Sequence, residues 1–289
     1  MTGWTLTLRQ PPTLRLCLRG ITPNALALLD ATQVAALPLG HGNSLLPLGA
    51  FFNVSPRSDD SLLLQGDLSR CDRVGWQLDG GQLTVRGPVG HHAGGAMRAG
   101  TLTIHGHAGD LAACEMAGGA LTIHGNVGDF AAASLPGSMD GMRGGVLRVQ
   151  GNAGARFADR MRRGTALVLG DAGDFLASRL VAGTVAVAGR VGAHVGYGMR
   201  RGSLVLLQAP AVPATFVPAG ADAPVLWQLL ARDLARLGDL GTAGGTASLS
   251  SSPSSNASFN PFCGLAQRRI QRCLGDLAAD GKGEIILPC

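Results

Sequence analysis

Between residues 81 and 207 the apolar positions repeat one short pattern. Units open at Gly81, Gly100, Gly119, Gly145, Gly164 and Gly183, with a partial unit from Gly202; the spacing is 19 residues except for one interval of 26. Counting from each opening glycine, position 3 carries Leu83, Leu102, Leu121, Leu147, Ala166 and Val185, and position 5 carries Val85, Ile104, Ile123, Val149, Val168 and Val187. Alternate apolar residues over so short a run predict a strand with one buried face. Position 17 repeats as Met97, Met116, Met142, Met161, Leu180 and Met199, an unbranched type suited to filling gaps between stacked coils. The long interval holds a seven-residue insertion, "SLPGSMD" from Ser134 to Asp140, after which the phase resumes.

Glycine also recurs at positions 7 and 10, for example Gly106 and Gly109 or Gly170 and Gly173. Glycines at fixed offsets are corners, where the backbone needs positive φ or an approach that a Cβ would block. A chain that turns at each corner and repeats is a solenoid, and one unit at about 3.3 Å per residue has a perimeter of roughly 60 Å, with coils stacked about 4.8 Å apart. The fold predicted is mainly β: a right-handed parallel β-helix of about seven coils over residues 62–207, the first an imperfect capping coil from Leu62.

The flanks divide the rest. Residues 1–61 form an N-terminal lead, with "GWTLTLR" and "TLRLCLRG" predicting a hairpin and the stretch after Thr22 a short helix with Pro23 in its first turn. In residues 208–289, "DAPVLWQLLARDLARLG" predicts a helix with Asp222 as N-cap, an apolar face at Leu226, Leu230, Leu234 and Leu237, and Gly238 as its stop; it is expected to cap the open end of the solenoid. A Ser-rich linker from Gly241 to Ser258 follows, then a C-terminal arm.

Composition narrows the function. Gly supplies 44 of 289 residues and aromatics only 4%, so an aromatic-rich core is excluded. The net charge of +5 comes from 23 arginines and Lys282. Six scattered cysteines without C-x-x-C spacing are expected to be reduced, mostly buried thiols. The start has no basic and apolar leader, and Pro210, Pro213 and Pro218 disfavour a spanning helix in the uncharged stretch after Gly202. The expected location is cytoplasmic.

Three outward columns are candidates for chemistry. His105 and His124 share position 6 and point out from adjacent coils, but no third ligand accompanies them, so a surface ladder outweighs a metal site; His91 and His92 lie in a corner region. Asp110, Asp129 and Asp174 share position 11, where paired carboxylates fit glycoside or calcium chemistry and, more simply, turn formation. Arg98, Arg143, Arg162 and Arg200 share position 18, with Arg163 and Arg201 following. Like charges across a ladder repel, so these arginines call for solvent, for acids such as Asp140 or Asp159, or for an external anion. Nucleic acid is disfavoured because aromatics are not interleaved with them. No catalytic triad and no metal site emerges; the candidate ligand- or partner-binding residues are Arg98, Arg143, Arg162, Arg200, His105 and His124.

The repeat, with its G-x-x-G corner and a further glycine closing each unit, resembles the β-helix shared by glutamate synthase large subunits and the C subunit of formylmethanofuran dehydrogenase. The flanks, with "ATFVPAG" and a closing "CLGDLAADGKGEIIL", look like the C subunit across most of the chain. The resemblance implies a structural subunit without catalytic residues or a cofactor of its own. Its complex either interconverts carbon dioxide and formylmethanofuran with tungsten or molybdenum pterin, or moves a formyl group from tetrahydromethanopterin to a furan carrier and releases formate. Implied partners are amidohydrolase-like, formyltransferase and molybdopterin-fold-like subunits, with the furan carrier and any metals bound there; a polyglutamate tail on the carrier is one anion for the arginines. The membrane and nucleic acid are not implied. The alternatives are a glutamate-synthase-type domain and an autonomous polysaccharide-acting enzyme.

Overall fold

The computed structural model describes residues 3–220, 224–239 and 260–289. In chain order the first elements are β1 (Gly3–Leu8), β2 (Leu16–Cys17), α1 (Pro23–Leu26), α2 (Ala31–Ala36), β3 (Pro38–His41), β4 (Ser44–Pro47), β5 (Phe52–Arg57), β6 (Leu62–Gln65) and β7 (Cys71–Asp72). The repeats contribute β8 (Asp79–Arg86), β9 (Ala99–His105), β10 (Ala120–Ile123), β11 (Arg143–Val149), β12 (Arg163–Val168), β13 (Thr184–Val187) and β14 (Ser203–Leu206). After them come β15 (Val217–Ala219), α3 (Pro224–Gly238), β16 (Ile270–Gly275) and β17 (Gly283–Pro288).

The protein is mainly β, dominated by a 13-stranded, mostly parallel sheet in the order β15-β16-β17-β14-β13-β12-β11-β10-β9-β8-β6-β1-β5. The repeat phase is the pairing register. Leu83 pairs with Leu102, Leu102 with Leu121, Leu121 with Leu147, Leu147 with Ala166, Ala166 with Val185 and Val185 with Leu204. The column continues past the repeats at both ends, through Leu62 to Trp4 and through Leu204 to Ile285. Two strands outside the repeat, β1 and β17, therefore complete the stack, and each is sealed by an antiparallel neighbour, β5 and β16. A coil left open at either end would expose a row of unpaired amides and carbonyls.

Each coil has two further sides. At position 9, isolated parallel bridges run from Leu68 through Val89, Ala108, Val127, Ala153 and Ala172 to Val191. Positions 11 to 17 form no strand. There the backbone alternates, with positive φ at positions 12, 14 and 16: Arg156, Ala158 and Arg160 have φ of 57°, 60° and 56°. The amides of these alternate positions point in turn to opposite neighbours, as when Phe130 N donates to Ala155 O of the next coil at 2.9 Å and Ala132 N to Ala112 O of the preceding one at 2.7 Å. Left-handed conformation costs a non-glycine residue about 1–2 kcal/mol; hydrogen bonds to both neighbouring coils offset it. Inside, the methionine column is fully buried, as are Leu180 and the strand positions 3 and 5.

The corner glycines divide by cause. Position 1 has positive φ, as at Gly100 and Gly119 with 79° and 81°. Position 7 is instead pressed against its neighbour, since a Cβ on Gly125 would lie 2.6 Å from Gly106 O.

Several flanking expectations change. The N-terminal lead is not a hairpin: β1 pairs with β5 and β6, while β2 joins a separate four-stranded sheet with β3, β4 and β7. Burial of Trp4 and Leu6 in the end of the stack outweighs the local turn at Pro11–Pro12. The helix after Thr22 splits in two. Thr22 caps the first by accepting Ala25 N, and Asp30 caps the second in a reciprocal box with Gln33. The helix α3 ends at Gly238 as expected; its expected N-cap Asp222, and the Ser-rich linker, lie outside the described residues.

Helix α3 does not cap the end of the stack. Trp227, Ala231, Leu234 and Leu237 pack on Leu167, Ala186 and Val205, the outward position 4 of the last three repeat coils. The same position in the first three units is Thr84, Thr103 and Thr122, so within the repeats this outer column changes from threonine to apolar residues where the helix lies. Between the two regimes Arg148 donates to Leu237 O at the helix C-terminus, at 2.6 Å. The C-terminal arm, not the helix, closes that end through β16 and β17. There Glu284 is buried against Arg272 at 2.8 Å and accepts Ser203 Oγ at 2.6 Å.

Candidate partner-binding surfaces

His105 and His124 stand on the polar part of the sheet's outer face. Their rings stack 4.6 Å apart at 8° to one another, and His124 Nδ1 lies 3.0 Å from Gln150 Oε1, the same position one coil on. Burial, then the neighbouring His124 and Arg86, push the His105 pKa down, which favours the neutral form of His105. Among the described residues no group of three or more His, Cys, Asp or Glu side chains is placed to hold a metal.

The aspartate column is a hydrogen-bond ladder at a corner. Asp110 Oδ1 accepts Asp129 N at 2.9 Å, Asp129 Oδ1 accepts Ala155 N at 2.8 Å, and Asp174 Oδ1 accepts Ala193 N at 2.8 Å. His91 takes part, its Nδ1 accepting Asp110 N at 3.0 Å. A second ladder, not anticipated, runs at position 8: His107 accepts Asn126 N, Asn126 accepts Asn152 N, Asn152 accepts Asp171 N and Asp171 accepts Arg190 N. Its signal was the recurrence of Asn, Asp and His one residue past the position-7 glycine. These side chains extend the pairing around corners where the backbone cannot pair with itself. His92 is different: its Nδ1 is buried without a partner, and burial, then Arg73, lower its pKa.

The arginine edge is exposed and unevenly grouped. Arg162 and Arg163 of one coil and Arg200 and Arg201 two coils on flank Val181 and Ala182, whose short side chains leave a cleft of 380 Å³. Arg162 pairs with Asp140 of the insertion. Arg143 is on the coil next to it, in register with Arg163. Arg98 lies outside this cleft, and the histidine stack is on a different column. Asp159, expected as a second neutralising acid, faces elsewhere.

Asp159 belongs to a site that spacing did not reveal. It is almost fully buried, accepts Ser178 Oγ of the next coil, and holds Arg179 through Nε and Nη2 at 2.9–3.0 Å. Residues 134–139 of the insertion line an open pocket of 510 Å³ together with Leu111, Phe130, Asp159, Arg160 and Arg179. The available signals were the insertion itself and an acid at position 15, where the preceding coils carry Gly95, Cys114 and Ala133.

The cysteines are free, but only Cys71 and Cys114 are buried, their thiols pushed up to about 12 chiefly by burial. The expectation of mostly buried thiols therefore fails, since Cys17 and Cys273 are half-buried and Cys263 and Cys289 exposed, and scattered spacing carries no information on burial. Among the described residues no helix is long and apolar enough to cross a membrane.

No family model matches the chain. A chain in the X-ray crystal structure of the formyltransferase/hydrolase complex (FhcABCD) from Methylorubrum extorquens, in complex with methylofuran, aligns with a TM-score of 0.86 and 39% identity, covering 99% of both chains. The C subunit of the Methylorubrum extorquens formyltransferase/hydrolase complex is 40% identical over 86 residues, 30% of this chain and 32% of that protein. The chain belongs to the family of formyltransferase/hydrolase complex C subunits. The C subunit of tungsten-containing formylmethanofuran dehydrogenase 2 from Methanothermobacter wolfeii is 30% identical over 94 residues, 31% of this chain and 35% of that protein. The matched stretches thus span about a third of the curated relatives' length. In this member of the C-subunit family, the arginine cleft and the insertion pocket both lie off the face that α3 covers.

Proposed function

We propose that this chain is the structural, non-catalytic C subunit of a one-carbon complex that moves a formyl group from tetrahydromethanopterin to a furan carrier and releases formate. The observation that carries this reading is the agreement over 99% of both chains with a member of a complex solved with methylofuran. In this reading the stack is a right-handed parallel β-helix over residues 62–207, in keeping with the hand of parallel crossovers, between a lead of residues 1–61 and a C-terminal unit of residues 208–289. Its partners are amidohydrolase-like, formyltransferase and molybdopterin-fold-like subunits of the cytoplasm, and these bind the furan carrier and any metals. The exposed columns face them: His105 and His124 on the sheet, and Arg98, Arg143, Arg162 and Arg200 along the edge, where the cleft suits carboxylates bound in bidentate pairs.

Co-expression of the tagged full chain with the other three subunits tests this. Expected are co-purification of those subunits, formyl transfer and hydrolysis by the assembly, and neither activity from the chain alone. Failure to recover any partner, or activity in the isolated chain, overturns the reading. Replacing Arg143, Arg162 and Arg200 together by Gln should weaken assembly or carrier binding at least tenfold; wild-type behaviour removes the edge from the binding surface.

A further inference from the structure

The insertion 134–140 leaves the coil phase unchanged, yet it builds the wall of a 510 Å³ pocket. Two of its apolar lining residues are exposed, Met139 being 69% and Phe130 38% accessible. Among the lining residues Asp159 is satisfied by Ser178 and Arg179, while Arg160 holds the loop through Nη1, which donates to Ser138 O at 3.3 Å and meets Met139 Sδ at 2.8 Å. Of the charged side chains that line the pocket, two arginines outnumber one aspartate, so the site carries excess positive charge in a partly dry setting, where an anion is bound more strongly than in water.

From Phe130 an ordered ridge continues across the next coils. The Arg156 guanidinium lies between two rings, 5.8 Å from Phe130 and 4.6 Å from Phe175. Phe175 stacks on His194 at 4.6 Å and meets Tyr197, itself 59% exposed, edge-on at 6.1 Å. Aromatic and arginine side chains held rigid beside a pocket have the composition of interface hot spots, and little side-chain entropy remains to be lost on binding.

We propose that this pocket and ridge are a docking surface for an acidic segment of a partner subunit, which inserts one apolar side chain beneath the insertion and sets an adjacent carboxylate on Arg160 and Arg179. The proposal rests on the complex reading above and adds the face and chemistry of contact. A second copy of this chain is a poor occupant: at a net charge of +5 it brings like charge to a basic surface.

The test uses the full chain assembled with its partner subunits. A photocrosslinking side chain at position 139 should label a partner peptide that contains Asp or Glu beside an apolar residue. The same side chain at position 28, where Leu28 is 92% exposed in the N-terminal lead, should not label that peptide. Met139→Asp, at a side chain the fold does not bury, should reduce recovery of the labelled subunit at least tenfold, and Arg160→Gln should do likewise without altering the far-ultraviolet circular dichroism of the chain. The proposal is overturned by label on a second copy of this chain, by no label at 139 in an intact assembly, by label on a peptide lacking acidic residues, or by undiminished recovery with Met139→Asp. If the wild-type chain recovers no partner, the complex reading falls and this proposal with it; if partners assemble equally with Met139→Asp, only the docking surface falls.

Discussion

The imidazoles of His105 and His124, one coil apart, stack 4.6 Å apart and 8° from parallel. Two charged rings cannot share that geometry at low cost, and the lowered His105 pKa, due first to burial, expresses the same preference for the neutral form. The unfolded chain, with an ordinary value near 6.5, therefore binds more protons than the native one as pH falls below that value, and stability declines with acid. His92 adds a contribution of the same sign. Melting temperatures between pH 7.5 and 5.5 should fall less steeply for His105→Gln than for the wild type, while His124→Gln should restore part of the native His105 proton affinity, read by nuclear magnetic resonance titration.

The corner aspartates give a sharper separation between support and catalysis. Asp129→Ala removes the exposed acceptor of Ala155 N, which water replaces in part, and should cost about 0.5–1.5 kcal/mol. Asp129→Asn retains a carbonyl oxygen in place and should cost under about 1 kcal/mol. Urea unfolding measures both; equal loss in the two variants would show that charge, and not the hydrogen bond, matters at this corner.

Asp159 should behave as a paired buried charge. Removing one partner of such a pair costs about 3–5 kcal/mol when both are buried; Arg179 is 40% exposed, so Asp159→Ala is expected to cost about 2–3 kcal/mol. Because Arg179→Ala strands the same carboxylate, the double variant should be less destabilised than the two single losses added together. A double-mutant cycle by denaturant unfolding reads that coupling.

Helix α3 should detach without dissolving the stack. Leu234 is fully buried between the helix and the sheet, and Leu234→Ala is expected to weaken that contact by about 2–5 kcal/mol. Hydrogen exchange should accelerate in residues 224–239 while the strands β8 to β10, which contribute nothing to the apolar cluster under the helix, keep their protection.

How much of this was legible depends on distance along the chain. The period, the buried columns at positions 3, 5 and 17, and the outward placement of His105 could be counted from residues, because a strand alternates side chains regardless of its surroundings. The N-terminal lead read locally as a hairpin, yet Trp4 and Leu6 are used to finish a column begun in the repeats. Helix α3 announced itself by its apolar residues, but the buried face runs through Trp227, Ala231, Leu234 and Leu237 and leaves the expected Leu226 half exposed; where that face is buried depends on Leu167, Ala186 and Val205, whose departure from the threonine pattern was a readable sign.

By itself, the sequence determined the coil: its length, its corners and its interior. Only the tertiary structure decided how the ends are sealed, that one side of every coil runs through alternating left-handed residues, and that a phase-neutral insertion meets Asp159, Arg160 and Arg179. The physical reason is that phase is set by neighbours in the chain, whereas burial and ion pairing are settled between coils, where residues such as Asp159 and Ser178 become neighbours only after the chain has come full circle.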